Sequence, residues 1–280
     1  MYKSVPHLSD PLTATPVLAT LAGLILIEAT IVVLALRRGY DTGEAAASVA
    51  VGVGNILTRS VNRVLIALVM SVVSELAPWH WDITSAWTWV AGFVGVEFCY
   101  YWMHRLGHRV WWMWASHGVH HSASHFILPS AMRLPWTGVF SGEWLVFLPL
   151  VLIGCPPMVV ATLLALNLLY QFFLHTELSP RWGPLEYVLN TPTHHRIHHA
   201  SNASCLDKNF GGVLIVFDRL FGTFASEEGN EPLRFGLTAP IDSRNPFVIA
   251  FAGWGRLFKA VKNERGAVPR LRLLLGPPRD

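Results

Sequence analysis

The run AWTWVAGFVGVEFCYYWMHRLGH, residues 86–108, is apolar apart from Glu97 as far as Met103 and then closes on two histidines four residues apart. As a helix, Ala86 to Met103 reaches most of the way across a hydrocarbon layer of roughly 30 Å. Residues four apart share a helix face, so His104 and His108 stand one turn from each other and can offer imidazoles to one metal ion. The pattern predicts a helix in lipid with metal ligands at its inner end.

The composition points to the same solvent. Of 280 residues, 52% are hydrophobic and 14% charged, and the mean hydropathy is +0.40. Soluble domains carry about 25% charged residues, and a soluble protein this apolar would expose large sticky patches. The net charge is only +3, with basic residues at Arg37-Arg38, at Arg105 and Arg109, and from Arg256 to Arg279. That distribution suits a cytoplasmic membrane face and argues against nucleic acid as a partner. Cys99, Cys155 and Cys205 are far apart and odd in number, which excludes a disulfide framework and a cysteine zinc motif. The N-terminal stretch lacks the basic leader and small-residue cleavage site of a secretory signal.

Around residues 86–103, four further apolar runs stand out: Pro16–Leu36, Val64–Ala77, Trp136–Ile153 and Met158–Leu174. Val64–Ala77 is short and follows the polar stretch Asn55–Arg63, so a tilted or half-inserted helix is expected there. The last two runs flank Gly154-Cys155-Pro156-Pro157, which reads as the turn of a hairpin. The expected fold is all-α: one polytopic membrane domain over residues 1–280, with about four to five membrane helices and a cytoplasmic helical cap. Residues 225–280 read as a basic cytoplasmic tail. Arg37-Arg38 on the cytoplasmic side puts residues 103–135, and everything after His175, on that side as well. Of thirteen histidines only His7 and His80 then fall outside. The expected location is a bacterial inner membrane, with the histidine face toward the cytoplasm. Glu28, Glu97 and Glu143 lie inside apolar runs, where a carboxylate is costly and is either functional or paired.

The histidines form His104-Arg-Leu-Gly-His108, His117-Gly-Val-His120-His121, His194-His195-Arg-Ile-His198-His199, and the single His175. In a motif of His, two residues, then His-His, the first shares a face with both later ones, so the triplet can feed two neighbouring ions. So many imidazoles on one membrane face would repel if charged and would be costly if buried unpaired. A structural zinc site uses four ligands and favours cysteine; this set is too large for one ion. Two ions in imidazole-rich shells remain, and iron used for oxygen chemistry fits, although zinc could occupy the site on purification. His7 and His80 read as isolated surface residues, and His125 as an outlying candidate.

At this point the sequence resembles a known family. The histidine boxes in order, QFFLHTE (171–177), NTPTHHRIHH (190–199), DKNFGG (207–212) and FDRLFGTF (217–224) are similar to the fatty acid hydroxylase superfamily, also called the sterol desaturase family. The likeness covers residues 86–224, and from Thr193 to Phe224 it resembles the alkylglycerol monooxygenase-like bacterial branch. Two positions differ from the common pattern: Arg109 stands where many relatives have glutamate, and Ser204 and Cys205 where a tyrosine is common. The resemblance implies metal ligands at His104, His108, His117, His120, His121, His175, His195, His198 and His199, with His194 a ligand or a partner to one. It implies two iron ions, dioxygen and an external electron donor, either a protein or a reduced pterin. The reaction implied is hydroxylation of an unactivated C–H bond of a membrane lipid; desaturation or demethylation on the same site is the alternative, and a non-catalytic metal-binding scaffold a weaker one. Asp207 and Asn209 are candidate catalytic residues, as acceptors of a ligand's ring N–H, or else caps on the turn before Gly211-Gly212. Asp218 is expected to pair with Arg219.

Overall fold

A computed structural model describes residues 15–227 and 231–279 of the chain; His7 lies outside them. The described residues fall into two compact units, divided between Asp41 and Thr42. In the first, α1 (Thr15–Thr30) continues as a wider coil over Ile31–Ala35. Together Pro16–Ala35 is long and apolar enough to cross a membrane.

The second unit opens with α2 (Thr42–Glu75), a single helix of 34 residues. The short second span expected at Val64–Ala77 is therefore only the end of a longer rod. Its polar stretch does not break the helix, because the polar groups find partners. The Asn55 and Asn62 amides donate to the carbonyls of Pro135 and Trp136 at 2.7 and 3.2 Å. On its other side Leu57, Val61, Val64, Leu68, Val72 and Leu76 are exposed. An apolar face without a protein partner is what a lipid-facing helix presents. This helix also has the length and apolarity of a membrane span.

Next comes α3 (Ala86–Arg109), the helix on which the sequence reading turned. The expected span Trp136–Ile153 is not one helix. It divides into α5 (Gly138–Ser141), a tight turn over Glu143–Phe147 and α6 (Leu148–Leu152). The break is at Gly142, whose φ of 75° is left-handed, a conformation that favours a residue without a Cβ. The Gly154 turn then leads into α7 (Pro157–Phe172). Both arms of this expected hairpin are apolar but shorter than a span. Its turn is fixed from outside: the Gly154 carbonyl accepts the Trp81 N–H at 2.9 Å, and a Cβ on Gly154 would lie 2.5 Å from the Trp79 carbonyl oxygen. Val96, Tyr100, Phe147, Val151, Cys155, Val159 and Val160 form the core between α3, α6 and α7.

The remaining helices are α4 (Trp111–His117), α8 (Pro192–His199), α9 (Val216–Phe221), α10 (Pro246–Asn263) and α11 (Ala267–Leu275). The expected basic tail is thus folded. Trp254 and Leu257 of α10 and Leu273 of α11 bury Trp111 and Ala115 of α4. Gly253 permits the approach, since a Cβ there would meet the Ala115 carbonyl oxygen at 2.4 Å. Among the described residues there is no strand, only the isolated bridges Leu189–Leu214 and Ala200–Phe235.

Candidate metal centre

Four elements bring their histidines to one place. His104 and His108 end α3; His117 closes α4, with His120 and His121 in the turn after it; His175 follows α7; His195, His198 and His199 lie on α8. The side chains sort into two groups. His104, His108, His117, His121 and His198 form one, and His120, His175, His195 and His199 the other; within each, the ligand atoms all lie within 4.8 Å of one another. The two triplets divide as helical spacing predicts. His117 and His121 enter the first group and His120 the second, while His195 and His199 enter the second and His198 the first. The groups touch where His121 and His199 stack, with ring centroids 4.3 Å apart.

Backbone carbonyls aim the rings. Nδ1 of His104 donates to the Phe210 carbonyl at 2.8 Å, that of His198 to Lys208 at 2.8 Å, and that of His175 to Gln171 at 2.7 Å. A proton on Nδ1 leaves Nε2 as a lone pair, ready for a metal. The Nε2 atoms do converge. His108 and His121 are 3.1 Å apart there, His175 and His120 3.3 Å, and His195 is 3.2 Å from both His175 and His199. A shared chain of hydrogen bonds does not explain this, because His195 Nε2 has at most one proton for its two neighbours. These separations instead match the edges of a shell with metal–nitrogen bonds of about 2.1 Å. Nε2 of His104, His117 and His198 is buried with no hydrogen-bond partner, as an atom reserved for an ion would be. Burial, and then neighbouring imidazoles, hold His117, His121, His195 and His199 well below the ordinary histidine pKa. Burial lowers His120 to about 4 and His198 to about 3. The rings are neutral near pH 7, the form that binds metal. The residues present fit two imidazole-bound ions.

The loop from Lys208 to Leu214 supplies the carbonyls to His104 and His198, and two buried carboxylates hold it. Glu97 accepts from Asn167 at 2.6 Å and from the Val213 and Leu214 N–H groups at 2.8 and 3.0 Å. Asp218 accepts from the Phe210 and Gly211 N–H groups, both at 2.7 Å, and from the Thr223 hydroxyl at 2.6 Å. Burial nonetheless pushes the Asp218 carboxyl above its usual range. The expected Asp218–Arg219 pair is not made: Arg219 lies over the Phe224 ring at 3.7 Å and donates to the Glu186 carbonyl.

Three expected site residues sit differently. His194 is in neither group: it falls outside the arc of about 100° spanned on α8 by His195, His198 and His199, and its ring lies 5.3 Å from that of Phe224. Asn209 holds a left-handed φ of 56° and its amide bonds the backbone of His194 and Ala225. Asp207, at φ 57°, is bound to Arg109 at 2.8 Å, and its other oxygen is 3.8 Å from His108 Nδ1, too far for a hydrogen bond. Asp207 does line a cavity of about 290 Å³ that reaches His108, His121, His198 and His199, walled by Leu206, Leu237 and Pro277.

Sequence reasoning missed Arg133. This buried residue joins Glu44 and Ser48 of α2 to Ser122, beside the second histidine box. An isolated arginine in a loop carries no sequence signal of such a role.

Comparison with known proteins adds the decisive observation: residues 89–223, which carry every histidine of the two groups, match the fatty acid hydroxylase family. Residues 89–223 are a fatty acid hydroxylase domain. It is 48% identical to an alkylglycerol monooxygenase of Homo sapiens over 61% of this chain and 37% of that protein. To the alkylglycerol monooxygenase of Danio rerio it is 43% identical, over 71% of this chain and 43% of the relative. An ornithine lipid hydroxylase of Rhizobium tropici is 29% identical over 61% of the chain and 51% of its own length. The chain therefore spans only about two fifths of the first two relatives. No solved structure matches it. Within the fatty acid hydroxylase domain, the two histidine groups occupy the buried centre.

Proposed function

We propose that this chain is an oxygen-dependent membrane oxidoreductase that hydroxylates an unactivated C–H bond of a lipid, using two iron ions. One observation carries the reading: two groups of five and four imidazoles, their ring nitrogens converging, inside a fatty acid hydroxylase domain. The ligands are His104, His108, His117, His121 and His198 for one ion and His120, His175, His195 and His199 for the other. Iron bound there would supply the activation of dioxygen and the oxidation of the C–H bond.

The protein's own residues do the rest. Carbonyls of Gln171, Lys208 and Phe210 hold the rings in one tautomer. Burial excludes water and keeps the imidazoles neutral. The cavity beside His108 and His198 accepts the reacting part of the substrate, and its apolar wall at Leu206 and Leu237 suits a hydrocarbon chain. Hydroxylation is favoured over desaturation because the relatives named above are a monooxygenase and a hydroxylase. Electrons come from a separate carrier protein or a reduced pterin. Against the four to five crossings read from hydropathy, Pro16–Ala35 and Thr42–Glu75 are the described helices long and apolar enough to cross; the exposed apolar face of α2 supports an integral membrane location. The arginine distribution supports a histidine face toward the cytoplasm; a bacterial inner membrane is the location proposed with it.

Comparison of lipid extracts from cells with and without the gene tests this reading. A lipid heavier by one oxygen atom is expected when the protein is present. A product lighter by two hydrogens would indicate desaturation, and unchanged lipid profiles would refute both.

A further inference from the structure

Every ring of the five-histidine group needs something to hold the nitrogen that faces away from the metal. For His104 and His198 that partner is a backbone carbonyl. His117 differs. Its Nδ1 faces Glu143, with Oε1 at 3.6 Å, while its Nε2 is buried and unpartnered. Glu143 is nearly buried too, and the same Oε1 has no hydrogen-bond partner. Its other oxygen accepts from the Ser141 hydroxyl at 3.2 Å.

The surrounding chain makes room for this meeting. Gly142, at φ 75°, breaks the expected helix just before Glu143 and turns the carboxylate inward. On α3, between His104 and His108, Gly107 has no side chain; a Cβ there would lie 3.0 Å from Glu143 Oε1 and 3.3 Å from His117 Cγ. Electrostatics agrees. Five neutral imidazoles give a cation no compensating charge, and the other carboxylate close to this group, Asp207, is half-exposed and already bound to Arg109.

We propose that Glu143 is a positioning residue for the metal site of the five-histidine group: its carboxylate, 3.6 Å from His117 Nδ1 and not hydrogen-bonded to it here, accepts the Nδ1 proton when the site is loaded, holds Nε2 toward the ion, and sets one negative charge beside it. The inference rests on the two-iron reading above. It accounts for a carboxylate inside an apolar stretch, where an unpaired one would be expelled. It also makes the two sites unequal, since the rings of the four-histidine group have no carboxylate beside them among the described residues.

Anaerobic Fe(II) titration of the purified full chain in detergent, with iron counting and thermal unfolding of the metal-free protein, tests this on the parent, E143Q, E143D, H117A and E143Q/H117A. Expected for E143Q is a loss of affinity of about 10- to 100-fold at one of two sites, with the other site and the metal-free melting temperature unchanged. E143D recovers part of the loss, and E143Q costs much less once His117 is alanine, since only the effect of the charge then remains. E143Q binding both ions like the parent would overturn the proposal. So would its full effect persisting in the H117A background, or a metal-free E143Q that melts lower or fails to fold, which would give Glu143 a packing role instead. A parent protein that binds no pair of iron ions would refute the two-iron reading itself, whatever E143Q does.

Discussion

Replacing His198 by alanine is expected to lower lipid oxidation at least about a thousandfold and to leave one iron ion per chain in place of two. His198 is the one ligand that α8 gives to the five-histidine group, and it faces His104, His108 and His121 with ring centroids 4.3 to 4.9 Å away. The alanine leaves α8 intact, because the helix is held by its own backbone and by Ile197, and alanine favours helix. H195A is the complementary variant, since it strikes the other group, at the ring that meets both His175 and His199. Iron counting on the two variants separates the sites. A His198 variant with two tightly bound ions and ordinary turnover would mean that the grouping of these ligands is wrong.

The second large effect concerns stability. Arg133 is 2% exposed, and its guanidinium is shared among Glu44 at 2.9 Å, Ser122 at 2.9 Å and Ser48 at 3.0 Å. Arg133→Met removes the cation and leaves the buried Glu44 carboxylate without its charged partner, with the Ser124 N–H and hydroxyl still donating to it. Breaking a buried pair in this way costs about 3–5 kcal/mol. Restoring neutrality with R133M/E44Q should recover a good part of it, because the penalty comes from the stranded charge more than from the lost contact. Thermal or denaturant unfolding of the metal-free variants measures both. A single mutant within about 1 kcal/mol of the parent would place Arg133 among ordinary surface residues. The double mutant being no better than the single would remove the charge argument.

The site was more legible in sequence than the fold that carries it. Nine of the ten histidines singled out by spacing and resemblance meet in the two groups, because spacings of three and four residues translate directly into helix faces. His194 stood out only by adjacency to His195, and adjacency is not a shared face. Asp207 and Asn209 were readable either as acceptors of a ligand's ring N–H or as turn caps, and both have the positive φ angles of turn residues. Hydropathy placed helices at α1 and α3. Among the described residues, however, only α1 with its extension and α2 are long and apolar enough to cross a membrane, so α3 does not pass as a span, and two other stretches were misjudged. The polar middle of α2 resembled a break because its partners, the carbonyls of Pro135 and Trp136, lie about eighty residues away along the chain. The stretch from Trp136 to Ile153 resembled a span because apolarity does not reveal that Gly142 turns left-handed and brings Glu143 to His117. Three ring-orienting carbonyls, those of Gln171, Lys208 and Phe210, were invisible, since a backbone acceptor has no sequence letter.

The central claim is that these imidazoles hold iron that inserts oxygen from dioxygen into a lipid. Its most direct test is incubation of the iron-loaded full chain, reconstituted in lipid with a reductant, under ¹⁸O₂, followed by mass spectrometry of the lipids. One labelled oxygen atom in a new hydroxyl group is expected, with no product under anaerobic conditions. Product formed without dioxygen, or oxygen drawn from water instead, would contradict the account.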